Sequence, residues 1–179
     1  YPTGKTDGLV ATFQTAKTQY NWEVPNFVMP PRENMVVYEL LLRDFTTEKS
    51  LEAAIEKLDY LKTLGVTAIE LMPIHEFDGS ESWGYNPNHF FAPDKAYGTP
   101  EMYKRFVDEC HKRGMAVIID VVFNHATGNS PMAALYWNSI TTKTASDNPW
   151  FNVNAPHPYS VFHDFNHEYQ GTRDYFKRV

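Results

Sequence analysis

Apolar positions cluster in three short runs, at residues 35–42 (MVVYELLL), 66–72 (VTAIELM) and 115–123 (MAVIIDVVF). Each is short, bounded by turn residues and rich in β-branched side chains, the pattern of strands buried on both faces. Between the first two runs, Leu51, Ala54, Ile55, Leu58, Leu61 and Leu64 recur at three- and four-residue spacing, which predicts one helix with a single apolar face. Ser50 stands where that helix needs a cap, and Gly65 where it must stop. Between the second and third runs, Thr99-Pro100 opens another helix, with proline at the first helical position and Gly114 past the end.

Strand, helix, strand, helix, strand at these intervals predicts consecutive right-handed crossovers, hence an α/β fold with a parallel sheet covered by helices. A doubly wound sheet and a barrel share this pattern. The loops favour the barrel: residues 73–98 and 124–170 are long and rich in aromatics, Asn, His and Asp, and in barrels the loops after strand C-termini build the site. Residues 1–34 are polar, carry Pro2, Pro25, Pro30 and Pro31, and alternate only over 9–13, which reads as a linker or the remnant of a preceding module. No repeat or low-complexity tract interrupts the chain.

Composition narrows the function. At 179 residues the chain supports one core but is short for a complete eight-stranded barrel of about 250 residues. It starts at Tyr1 without an initiator Met or a signal segment, as expected of a processed or excised piece. The 42% hydrophobic and 21% charged shares are those of a folded protein, and no apolar stretch approaches a membrane span of about 18 residues. A net charge of -6 with scattered Lys and Arg argues against a nucleic-acid partner and for a neutral ligand. The aromatic share, 15%, suits either sugar-stacking faces or a large core. Cys110 is the sole cysteine, so no internal disulfide forms and the compartment is unread.

Asp120-Val-Val-Phe-Asn124-His125 places three polar groups at the end of an apolar run, where burial without partners would cost several kcal/mol in total. His75, His89, His111, His157, His163 and His167 lack the spacing of a helical zinc pair and read as surface, loop or core histidines. Trp137, Trp150, Tyr136, Tyr159 and Tyr169 lie in the long third loop as either sugar platform or loop core.

The string DVVFNHA resembles the first signature region of the alpha-amylase family, and VVYELLLRDF, IELMPI followed by WGYNP, and KAYGTPEMYKRFVDECHKRGMAVIIDVVFNHA agree with it. The resemblance covers residues 36–127 closely and 128–179 loosely, and VVYELLLRDF leans toward its pullulanase, isoamylase and branching-enzyme side. It implies that residues 35–179 are the N-terminal part, about three βα units, of a (β/α)8 TIM barrel, with residues 126–170 as a loop subdomain. Residues 1–34 would then be the tail of a β-sandwich module or the linker after it. Carried over, the resemblance gives Tyr85, in Trp83-Gly84-Tyr85, a stacking role under the glucosyl ring beside the scissile bond. It gives His125 a hydrogen bond to a hydroxyl of the same sugar and Asp120 an organising role in the site. Asn124 and Asp164 become the candidate ligands of a calcium ion, although the ion takes 6 to 8 oxygens. No cofactor is otherwise required.

A retaining glycosidase uses two carboxyl groups about 5 Å apart. The Gly-x-Arg-x-Asp setting of the family's nucleophile does not occur, and Asp174 sits in a segment, residues 171–179, that reads as a helix start. The expected function is therefore retaining hydrolysis of α-glucans by the full-length protein, with this segment inactive alone. A glucan branching transferase and a non-catalytic amylase-like binding or partner protein share the same motifs. A nucleotide-binding sheet is disfavoured, because Arg43-Asp44-Phe45 follows the first strand in place of a glycine-rich loop. Three strands leave open edges, at Val117, Ile119 and Val121 among others, so self-association or pairing with the remaining barrel strands is expected.

Overall fold

In the computed structural model residues 4–13 and 15–179 are described; Tyr1, Pro2, Thr3 and Gln14, all in the segment read as a linker, lie outside the described residues. The chain divides into two units. One holds residues 12–74 and 94–120, and the other residues 1–11, 75–93 and 121–179.

The first unit is built on the three apolar runs. β1 (Val37–Leu40), β2 (Ala68–Leu71) and β5 (Ala116–Ile119) form a parallel sheet in the order β1-β2-β5. The register sets Val37 beside Ala68 and Ala68 beside Ala116, through to Leu71 beside Ile119. Helices α1 (Leu42–Phe45), α2 (Leu51–Ile55) and α3 (Leu58–Thr63) cross from β1 to β2, and α4 (Pro100–Lys112) precedes β5. Leu51, Leu58, Leu61, Ile69, Phe106, Cys110 and Met115 are fully buried, each large side chain worth about 1.5–3 kcal/mol of transfer free energy.

Caps act where expected. Ser50 accepts from the Ala53 N–H and Thr99 from the Met102 N–H, with Pro100 at the first turn; each such cap contributes about 1 kcal/mol. Three expectations change in detail. The single helix over 51–64 is two, because the chain tightens at Glu56–Lys57, where Lys57 N–H donates to the Ala54 carbonyl rather than one residue earlier. The first apolar run stops being a strand at Leu40, since Leu42 turns into α1 to bury its own side chain. Nor is the sheet buried on both faces: Val37 and Ile119, on the two edge strands, are each 46% exposed.

Residues 15–34, part of the segment read as linker, are tied to α4. The Asp108 carboxylate accepts from the Tyr20 hydroxyl and the Glu23 and Val24 N–H groups, and Phe27 stacks on the His111 ring at 3.9 Å.

The second unit is a set of small antiparallel ladders. β3 (His75–Phe77) pairs with β4 (Pro87–Pro93), in a register shifted at both steps. β6 (His125–Ala126) pairs with β9 (His163–Asp164), and β7 (Trp137–Asn138) with β8 (Lys143–Thr144). Short helices α5 (Pro131–Ala134) and α6 (Gln170–Phe176) complete it. The core is Phe90, Ala126, Ala133, Phe151 and Phe165, ringed by Phe123, Met132, Trp150, Tyr175 and Phe176. Phe151 stacks on Phe165 at 4.3 Å, and Phe90 meets Phe165 edge-on at 5.5 Å. Among the described residues no helix is long and apolar enough to cross a membrane.

Candidate functional site

Trp83-Gly84-Tyr85 lies in the loop joining β3 to β4. A small polar net shapes that loop. Gly84 N–H donates to Ser82 Oγ at 2.9 Å, Ser82 Oγ bonds Asn86 Oδ1, and Asn86 Nδ2 reaches the Asp78 carbonyl at 2.8 Å. Gly84 has φ 93°, a conformation that favours glycine. The turn leaves Tyr85 partly exposed and Trp83 60% exposed, so both rings reach the surface of the unit.

His125 opens β6 and is only 7% exposed. Its Nε2 lies 2.7 Å from the backbone carbonyl of Tyr85. A carbonyl only accepts, so the proton resides on Nε2. In that tautomer Nδ1 accepts from Asn124 Nδ2 at 3.1 Å. The structure therefore brings His125 to the main chain of Tyr85. A sugar hydroxyl reaching either ring nitrogen has to replace one of these two bonds.

Behind this pair runs a buried polar network that residue patterns did not single out. Asn88 Nδ2 donates to the Gly8 carbonyl at 2.8 Å and to Asp78 Oδ1 at 3.2 Å, while Thr127 Oγ1 donates to Asn88 Oδ1. Asn129 Nδ2 bonds the same Asp78 oxygen at 2.8 Å, and Gly8 N–H bonds Glu76 Oε1 at 2.8 Å. A Cβ on Gly8 would meet the Phe77 carbonyl oxygen at 2.3 Å, so only glycine fits there. The network fixes the β3–β4 hairpin that carries Tyr85. Its one trace in the sequence is the surplus of Asn in the loops, with no spacing to mark it.

Asp164 faces His125 across the β6–β9 ladder. Its Oδ1 accepts from His157 Nε2 and its Oδ2 from Asn152 Nδ2, both at 2.8 Å. The Asn124 carbonyl accepts from the Phe165 N–H at 2.9 Å. As a calcium set these residues do not fit: Asn124 and Asp164 supply too few oxygens, and nitrogen donors already engage the Asn124 backbone carbonyl and both Asp164 carboxylate oxygens. Among the described residues no group of three or more His, Cys, Asp or Glu side chains could hold a metal ion. His157, read from sequence as a surface, loop or core histidine, lies in the loop and hydrogen-bonds the Asp164 carboxylate.

Asp120 belongs to the parallel-sheet unit, just past β5, where its N–H donates to the Leu71 carbonyl at 2.9 Å. In the third loop Trp150 packs on the core, Trp137 meets the His163 ring edge-on at 5.1 Å, and Tyr159 is exposed. Burial lowers the pKa of His75, whose ring packs near Phe90 and Phe123, and burial together with the Lys143 charge lowers that of His163.

Comparison with known proteins locates this arrangement. The malto-oligosyltrehalose trehalohydrolase of Saccharolobus solfataricus is 44% identical over 119 residues, covering 66% of this chain and 21% of that protein. The chloroplastic isoamylase 1 of Oryza sativa subsp. japonica is 38% identical over 153 residues, 70% of this chain and 19% of its own length. Among solved structures, one from Salmonella typhimurium described as an alpha amylase superimposes with a TM-score of 0.75 at 34% identity, over 87% of this chain and 25% of that one. The chain thus spans about a fifth of the length of these curated relatives. The family described as alpha amylase, catalytic domain, matches residues 43–178, and this chain belongs to it.

Proposed function

We propose that the full-length protein hydrolyses α-glucans by a retaining double displacement and that this segment supplies substrate-positioning groups. In that reaction one carboxylate attacks the anomeric carbon while a carboxylic acid protonates the departing oxygen, and water then releases the sugar. Both acids would come from strands outside this segment, so the 179-residue chain alone is inactive. The observation that carries the reading is the His125 imidazole held on the Tyr85 carbonyl, inside a segment matched by the family. Tyr85 would supply a face for the sugar ring, Trp83 would flank it, His125 would hold that loop and a hydroxyl, and Asp120 would organise neighbouring groups.

On this reading β1, β2 and β5 are the first three strands of a (β/α)8 barrel. The exposure of Val37 and Ile119 on the edge strands supports further strands pairing there. The relatives' names point to malto-oligosyltrehalose and isoamylase-type glucans as the substrates to try first.

The deciding experiment incubates the full-length protein with starch, glycogen, pullulan and malto-oligosyltrehalose and follows the anomer first released by proton NMR. Release of the α-anomer is expected. Inverted product, glucan transfer without net hydrolysis, or no turnover on any of the four would overturn the proposal.

A further inference from the structure

Residues 4–11, read from the sequence as linker, belong to the same unit as the β3–β4 hairpin and β6. We infer that this segment is a strap of the candidate site, and that Gly8 and Asn88 form a latch of positioning residues that holds the Tyr85 loop in register with His125. The inference rests on the α-glucan reading above and adds to it residues that act without touching sugar. Gly8 lies before the family-matched stretch, 43–178, so membership of the family assigns it no role.

Three observations carry it. First, strap and hairpin meet main chain to main chain. Gly8 is buried with φ 69°, and a Cβ there would come within 2.3 Å of the Phe77 carbonyl oxygen and 2.6 Å of the Asp78 Cα. Both obstacles are backbone atoms, which cannot swing aside as a side-chain tip would, so conformation and space alike require glycine. Second, the contact is anchored by groups withdrawn from water. Gly8 N–H donates to Glu76 Oε1 and the Gly8 carbonyl accepts from Asn88 Nδ2, both at 2.8 Å, and Glu76 and Asn88 are each 1% exposed. A buried polar group that loses its partner is destabilising, so the strap cannot lift without stranding these atoms. Third, Asn88 joins the two segments that bear the site. Its Nδ2 also donates to Asp78 Oδ1 at 3.2 Å, within the hairpin, and its Oδ1 accepts from Thr127 Oγ1, two residues beyond His125. Asp78 in turn closes the Tyr85 loop: its N–H donates to the Asn86 carbonyl at 2.9 Å, and its carbonyl accepts from Asn86 Nδ2 at 2.8 Å. Such a connected buried network rigidifies one arrangement of the segments it ties.

The test is a double-mutant cycle in the full-length protein, read as kcat/KM on an α-glucan that the wild type turns over. Gly8→Ala should lower kcat/KM by about 10-fold when Tyr85 is present and by less than about 2-fold in the Tyr85→Ala background. A residue that acts through the Tyr85 loop has nothing to position once that ring is gone. Equal or greater loss in the Tyr85→Ala background makes Gly8 a general structural residue, and no loss in either leaves the strap without a role; both results overturn the inference. Should Gly8→Ala fail to fold, Asn88→Ala, which only removes atoms, takes its place in the cycle with the same expectations. If the wild type turns over no α-glucan, the α-glucan reading fails separately. The latch is then judged by hydrogen exchange: faster exchange at the Asp78 and Gly84 amides in Asn88→Ala upholds it, and unchanged exchange rejects it.

Discussion

His125 donates its Nε2–H to the backbone carbonyl of Tyr85 across 2.7 Å, so the imidazole and the aromatic loop behave as one unit. Loss of either should therefore disturb the other. On the proposed α-glucan reading, His125→Ala and Tyr85→Ala in the full-length protein should each lower kcat/KM by at least about 10-fold. The double variant should lose much less than the product of the two, because coupled residues are not additive. A fully multiplicative loss would show that the two act independently.

Asp164 is held by protein donors rather than poised for a metal. EDTA should leave the melting temperature of the full-length protein unchanged, and metal analysis should find no stoichiometric calcium. Asp164→Ala should instead strand the Asn152 amide and His157, a cost of about 1–3 kcal/mol. Faster hydrogen exchange at the Asn152 and Phe165 amides, which bond the Asp164 and Asn124 carbonyls, would report it. A calcium-dependent melt would refute this account.

His75 is buried and its pKa is depressed by burial. Below the ordinary imidazole value of about 6.5 the unfolded chain binds a proton that the folded one resists, so stability is full above that pH and declines as pH falls through it. Denaturant midpoints measured between pH 8 and 5 should fall on the acid side. His75→Phe should flatten that decline, and an unchanged slope would remove His75 as its source.

Cys110 lies fully buried on α4, and burial pushes its thiol up to about 12. The nucleophile is the thiolate, so the native protein should react with a thiol reagent only on unfolding. Prompt labelling of Cys110 under native conditions, read by peptide mass mapping, would mean that α4 does not pack as described.

Local chemistry made much of this protein legible before its structure. The centres of the β-branched runs read as strands, Ser50 and Thr99-Pro100 as helix starts, and DVVFNHA with WGYNP pointed to the family. These signals depend on neighbours in sequence, through φ/ψ preference, capping and periodicity. Whatever depends on distant partners stayed hidden. Nothing in the sequence indicates that residues 51–64 break at Lys57 or that His157 reaches Asp164. The same holds for Asn88 linking Gly8, Asp78 and Thr127, and for both nitrogens of His125 being engaged. Hydrogen bonds between loop side chains need no fixed spacing, and only the folded chain, which must satisfy each buried polar group, decides which of many Asn and His residues meet.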